Sequence, residues 1–312
     1  MGVELAPVQA MLDETHPSLP TERDQNSYTL GQIGRHGIVI AAMPDIGNNS
    51  AATVATQLMN DFPSIRFGLL VGIGGGVPDK EGGKDVRLGD IVVSKPTNNF
   101  GGVVQYDLGK VTTHKGFEQT GALNKPPTVL RANVETLAAQ HRREGNRVPH
   151  FLSEMVQKFP RMKEEYIYPG LEHDRLFKAV YVHQGGRTCD GCDTNQLVQR
   201  TNRRGTDPKI HYGTIGSANA VIKDSAVRDQ LRTHLKVICV EMEAAGLMDT
   251  FPCLVIRGIC DYADSHKNDQ WHPYAAATAA AYAKELLMII PSKEVKKESQ
   301  AAEVLQSQSE YV

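Results

Sequence analysis

The sequence predicts an α/β fold, with a sheet buried beneath helices on both of its faces. Two observations predict it. Short runs of aliphatic and β-branched residues, each of strand length, recur along most of the chain. Longer Ala-rich or amphipathic stretches with helical spacing separate them. Strands without polar alternation are typical of sheets covered on both sides.

The elements follow in order. Gly37–Met43 (GIVIAAM) reads as a strand. Asn48–Met59 reads as a helix that Asn48 or Asn49 can cap. Phe67–Ile73 (FGLLVGI) is a wholly apolar strand running into Gly74, Gly75 and Gly76. Asp90–Ser94 is a further strand, and Pro127–Gln140 a helix opened by proline. The second half repeats the alternation. Ile210–Ser217, Val237–Val240 and Cys253–Ile259 read as strands, and Ala220–Leu231, Met242–Asp249 and Ala275–Ile290 as helices. Residues 141–210 break the pattern, being polar and weakly periodic, and read as an insertion in one domain over residues 1–292. Residues 293–312 are charged and Gln/Ser-rich, and read as a frayed helix or disordered tail.

Composition excludes several classes. Of the 312 residues, 40% are hydrophobic and 22% charged, an ordinary balance for a globular domain. The net charge of −2 gives no overall basic surface for nucleic acid or an anionic membrane. No apolar run has the roughly 18–20 residues of a membrane span. Met1–Asp13 lacks the features of a signal peptide, so a cytoplasmic protein is expected. The five cysteines are too few and too scattered for a disulfide framework.

Three segments can carry chemistry. Val71–Val77 (VGIGGGV) ends a strand in glycines, which lets backbone N–H groups approach a ligand. It has neither the dinucleotide-binding spacing nor the Lys-Ser/Thr of a P-loop. A tight turn explains it equally well. Val240–Gly246 (VEMEAAG) sets Glu241 and Glu243 at a strand-to-helix junction, where carboxylates can accept hydroxyls of a ligand or complement the helix dipole. Arg257–Asp264 (RGICDYAD) sets Asp261 just past a strand end, as a general acid or a turn cap.

The ordered set VGIGGGV, LGDIVVS, VEMEAAG and IRGICDYAD resembles the nucleoside phosphorylase/nucleosidase superfamily. It is most similar to methylthioadenosine/adenosylhomocysteine nucleosidases, and more so to the nucleosidase-like domains of fungal proteins, often N-terminal in NLR-type receptors. The resemblance covers residues 1–292 and implies a three-layer α/β/α sandwich with a mixed central sheet. It implies a purine nucleosidase acting on adenine compounds, with no cofactor, a small-molecule partner only and a homo-oligomeric state. Asp261 matches the acid that protonates the purine. Glu243 matches the carboxylate that grips the ribose hydroxyls, with Met242 beneath the sugar. Glu4 matches the acid that activates water. Gly74 and Gly75 would line the site, and Ser217, Asn219 and Val221 lie on the loop that matches the purine-holding segment.

The chain departs from the family at several points. Leu70 or Val71, and Ile73, stand where phosphorylases place phosphate-binding Arg and Ser, which favours water as acceptor over a phosphorylase. Val221 replaces the usual stacking aromatic, and the family's first strand is missing before Glu4. Those departures favour a silent nucleotide-sensing module, which the retained Glu243 and Asp261 oppose. In the insertion, Arg187, Arg200, Arg203, Arg204 and Lys209 either bind substrate phosphates or form a solvated basic loop. Cys189-Asp190-Gly191-Cys192 with His183 or His211 can be drawn as a zinc site. Without a second C-x-x-C, a free pair is the simpler reading and no metal is expected.

Overall fold

All nine residues of Cys253–Asp261 are buried, and they form the spine of the sheet. The computed structural model describes residues 1–19, 26–97, 99–113, 116–203 and 205–309. The chain opens with α1 (Gly2–Ala10), β1 (Glu14–His16), β2 (Tyr28–Ile33), β3 (His36–Ala41), α2 (Asn48–Asp61) and β4 (Gly68–Gly76). Then come β5 (Ile91–Ser94), β6 (Val103–Gln105), β7 (Gly109–Thr112), β8 (Gly116–Gln119), α3 (Thr128–Glu144) and α4 (Val148–Lys158). Last are β9 (Ile210–Ser217), α5 (Ser225–Leu235), β10 (Val237–Glu241), β11 (Cys253–Asp261), α6 (His272–Ile289), α7 (Ser292–Val295) and α8 (Ala301–Ser309).

The central sheet is mixed, in the order β10-β4-β11-β5-β9-β6. β11 is parallel to β4 and antiparallel to β5. The sheet curls so that β10 also lies parallel to β9. Alternate residues serve opposite layers. Ile91, Val93, Leu254 and Ile256 pack with residues of α3, α4 and α6. Val92, Cys253 and Val255 pack with Ala51, Ala55 and Leu58 of α2 on the other side. This is the three-layer sandwich. Alanines let α6 press against the spine, and the Ala275 carbonyl occupies the place a Cβ of Gly258 would need. Among the described residues, no helix is long and apolar enough to cross a membrane.

Several elements differ from expectation. The helix expected over 220–231 begins at Ser225, because the Asp224 carboxylate caps it, accepting from the N–H of Ala226 and Val227 at 2.7 and 3.3 Å. The helix expected over 242–249 shrinks to a single 3-10 turn at Ala244–Gly246. Asn48, expected as a helix cap, is inside α2, and Gly47 holds the cap position. The insertion is narrower than expected. α3 runs to Glu144, and α4 packs Val148, Phe151 and Met155 into the main core. From Ser292, the segment read as a frayed helix or disordered tail forms α7 and α8, with Ala301 N–H bonded to the Ile65 carbonyl at 2.8 Å. The strand expected over 37–43 is β3, but its partners β1 and β2 and the strands β6, β7 and β8 were not foreseen.

Candidate active site

The ends of β4, β10 and β11 open into a cleft of about 1020 Å³. Glu4, Ile73, Gly74, Gly75, Met242, Glu243 and Asp261 line it. At its polar end, Arg257 is the organising charge. Its guanidinium Nη2 donates to Glu241 and to Glu243 Oε2, the latter at 3.0 Å, and its side chain is 2% exposed. Burial works against that charge, yet Glu241, Glu243 and Glu4 together hold Arg257 more firmly protonated than an ordinary arginine. Glu241 is a structural acceptor: its carboxylate takes the N–H of Glu243 at 3.0 Å and of Ala244 at 2.9 Å. Glu243 is freer, with the Gly47 N–H at 3.4 Å as its one hydrogen-bond partner besides Arg257 among the described residues. Burial pushes its carboxyl above the usual carboxylate range, Glu241 and Glu4 push the same way, and Arg257 offsets part of this.

Glu4 arrives from α1, and its Oε1 accepts the Ile73 N–H at 2.9 Å. Glu4 and Arg257 meet over Gly72, where any Cβ would collide with both. Asp261 ends β11. Its Oδ1 accepts the Ala263 N–H at 2.8 Å, and its Oδ2 faces Lys267 Nζ at 2.9 Å. A Cβ at Gly75 would lie 2.9 Å from Asp261 Oδ1, so glycine leaves the carboxyl its place. Burial works against the Lys267 charge, but Asp261 beside it holds the ammonium above the ordinary lysine value.

A profile of the phosphorylase superfamily matches residues 1–290. The chain belongs to the phosphorylase superfamily. A nucleotide-binding leucine-rich repeat (NLR)-like protein of Hyaloscypha variabilis is 46% identical over 295 residues, 94% of this chain and 29% of the relative. The ATP nucleosidase Cap17 of Escherichia coli is 24% identical over 248 residues, 78% of this chain and 39% of that protein. The chain thus spans well under half of these two relatives. A 5'-methylthioadenosine/S-adenosylhomocysteine nucleosidase from Neisseria meningitidis, solved with methylthio-immucillin-A, superposes with a TM-score of 0.59 at 18% identity, covering 92% of this chain and 95% of that one. That likeness is one of fold.

Other expected site residues fall elsewhere. Ser217 is fully buried beneath the cleft, accepting the Ala245 N–H at 3.0 Å and donating to Asn48 Oδ1 at 3.2 Å. Asn219 turns its side-chain oxygen to the Asn48 N–H at 3.0 Å and does not line the cleft. Val221 does line it and is 46% exposed. Among the described residues, Arg187, Arg200, Arg203 and Lys209 do not line the cleft. Arg203 holds Asp90, with its Nη2 2.6 Å from Oδ2, and Arg200 holds Asp174 at 2.9 Å and lies over the Tyr262 ring. Arg187 and Lys209 are exposed outside it, and Arg204 lies outside the described residues. His211 Nε2 donates to Asp90 Oδ2 at 2.8 Å, away from the cysteines.

Three lining residues escaped the sequence reading. Arg257 carried a signal, a cation inside the apolar run CLVIRGI. Such a charge is buried only with partners. Lys267 carried none, since its meeting with Asp261 depends on the turn between them, where Ala263 has a left-handed φ of 50°. Tyr106, just past β6, lines the cleft next to the segment that carries Val221, its hydroxyl 3.4 Å from the Ala220 carbonyl.

Proposed function

We propose that this chain hydrolyses the N-glycosidic bond of a purine nucleoside or nucleotide, releasing the free base. The observation that carries the reading is the convergence of Glu4, Glu243 and Asp261, from three separate elements, on one cleft at the strand ends. Cleaving the bond lets electrons leave with the base and positive charge build on the sugar ring. That needs an acid at the base, an anion near the sugar and a nucleophile beneath it. Asp261 donates its proton to the purine as the bond from base to sugar breaks. Lys267 then faces the carboxylate left behind. Glu243 accepts the ribose hydroxyls, with Arg257 fixing its orientation and Met242 under the sugar. Glu4 takes a proton from the water whose oxygen bonds to the anomeric carbon. Tyr106 offers the aromatic face that Val221 does not.

Adenine is the proposed base, because the similar proteins named for their substrates act on adenine compounds. Water is the proposed acceptor, since Leu70, Val71 and Ile73 offer no phosphate ligand on β4. The test is chromatography of base release from adenosine, AMP, ATP, inosine and methylthioadenosine, with and without phosphate. The expected result is phosphate-independent release of adenine that Asp261→Asn lowers by about 10²–10⁴-fold. Release that requires phosphate would make the chain a phosphorylase. No release from any purine would overturn the enzymatic reading and leave a binding domain.

A further inference from the structure

The loop between Leu171 and Val198 has its own small core, formed by Phe177, Cys189 and Cys192 with Tyr181 and Leu197 against it. Both cysteines are buried, and both are free. Gly185 and Gly186, at φ 98° and 90°, fold the loop back so that His183 meets the pair. One ligand atom from each of His183, Cys189 and Cys192 lies within 4.8 Å of the others. We propose that these three side chains bind a structural zinc ion.

The donor set suits zinc, which takes thiolate and imidazole in tetrahedral sites. The C-x-x-C spacing lets neighbouring cysteines point at one ion. His183 Nε2 lies 3.1 Å from the Thr188 carbonyl. An N–H there fixes the tautomer and leaves Nδ1 as the ligating atom, the usual arrangement behind a metal-bound histidine. Nδ1 now faces only the Gly185 N–H, at 3.2 Å.

A second observation points the same way. His266 is 7% exposed, and neither of its ring nitrogens has a hydrogen-bond partner among the described residues. Its ring stacks on Phe177 at 4.1 Å and meets the His183 ring edge-on at 5.5 Å. Its Nδ1 lies 3.6 Å from Asp264 Oδ1, beyond hydrogen-bond reach, and a buried imidazole without a hydrogen bond is rare enough to need a reason. A water bound at the fourth corner of the ion and held by His266 supplies one. The site also faces the loop that carries Lys267. His183 N–H donates to Ser265 Oγ at 3.0 Å, and Cys189 Sγ lies 3.7 Å from the His266 carbonyl. The ion would clamp the insertion onto the segment that holds Lys267 against Asp261.

The test needs the unmodified chain first. Protein purified without chelator is assayed for zinc by mass spectrometry and by release to a chromogenic chelator. Then cobalt(II) is exchanged in. The expected result is one zinc per chain, and a cobalt form with a thiolate charge-transfer band and the strong visible bands of a four-coordinate ion. Cys189→Ser with Cys192→Ser should lose both, and His183→Ala should weaken retention at least tenfold with folding intact by circular dichroism. Protein with substoichiometric zinc that takes up no cobalt would overturn the site. So would a chain that is lighter by two hydrogens, which marks a Cys189–Cys192 disulfide.

Discussion

Replacing Arg257 by methionine removes the cation that Glu241 and Glu243 share. Those two carboxylate side chains are 1% and 10% exposed. Removing one partner of a buried ion pair costs about 3–5 kcal/mol, because a bare charge is left inside. Proton uptake limits that cost, and the structure says where the proton goes. Glu241 keeps the N–H groups of Glu243 and Ala244, whereas Glu243 keeps, among the described residues, only a long bond from Gly47. The folded pKa of Glu243 is already raised. A raised carboxyl favours folding most below its unfolded value, and that advantage is lost as pH climbs through the folded value. Arg257→Met raises the folded value further and carries the loss to higher pH. The stability deficit of the variant should therefore be small at about pH 5 and reach about 3–5 kcal/mol at about pH 8. Urea unfolding at both pH values, with matched slopes, measures it. Adding Glu243→Gln should abolish the pH dependence and recover about 1–3 kcal/mol. An equal deficit at both pH values, unchanged by the second substitution, would refute this account of the charge network.

Three further outcomes follow from the same coordinates. Glu243→Gln keeps the shape of the site but removes an anion near the sugar, so kcat/KM for base release should fall about 10²–10³-fold; an unchanged value would remove Glu243 from the site. Burial works against the Asp90 charge, but Arg203 and His211 hold its carboxyl below the ordinary range, so its contribution is present above the unfolded value and lost as pH falls through the folded one. Asp90→Asn should cost about 3–5 kcal/mol at neutral pH and progressively less below about pH 4, read by denaturant titration. In β4, Gly68 N–H bonds toward β11 and Ile73 N–H bonds the opposite way to Glu4, so the N–H groups of Leu69 and Val71 face away from β11, where no described strand pairs with them. Hydrogen exchange should be at least tenfold faster at Leu69 and Val71 than at Leu70 and Gly72, and equal protection would place a partner on that edge.

What was legible in the sequence was what local pattern dictates. β5, β10 and β11 are buried throughout and β4 and β9 over their C-terminal halves, and mostly apolar runs of strand length announced them. β1 is three exposed residues, and β6, β7 and β8 have only three or four residues each, too short to show a period. The failed helix after β10 shows a different limit. Its first N–H groups are taken by Glu241, and the Gly246 N–H by Asn48 Oδ1 at 3.0 Å, a partner 198 residues earlier. Propensity is a weak prior where a distant side chain competes for the backbone. Glu243 and Asp261 were legible because each sits just past or at a strand end, whereas Glu4 was named by the family resemblance alone. Their cations were not, because pairing with them is a property of the fold.

The arginines of the insertion make that last limit sharpest. A cluster of like charges reads as an anion site only while its counter-ions are unseen. Arg203 and Asp90 are 113 residues apart, and Arg200 meets both Asp174, 26 residues away, and the far more distant Asp85. Both guanidiniums are largely buried, with side chains 12% and 8% exposed, and neither lines the cleft. Their chemistry is committed to holding the insertion against the start of β5. Replacing either by alanine strands a buried carboxylate, so the cost should appear as about 3–5 kcal/mol of stability. The ratio of ATP to adenosine turnover should stay within about twofold, since neither group lines the cleft. A variant of normal stability that selectively loses ATP would mean that these arginines leave their acids when a nucleotide binds, and would return them to the role that their sequence first suggested.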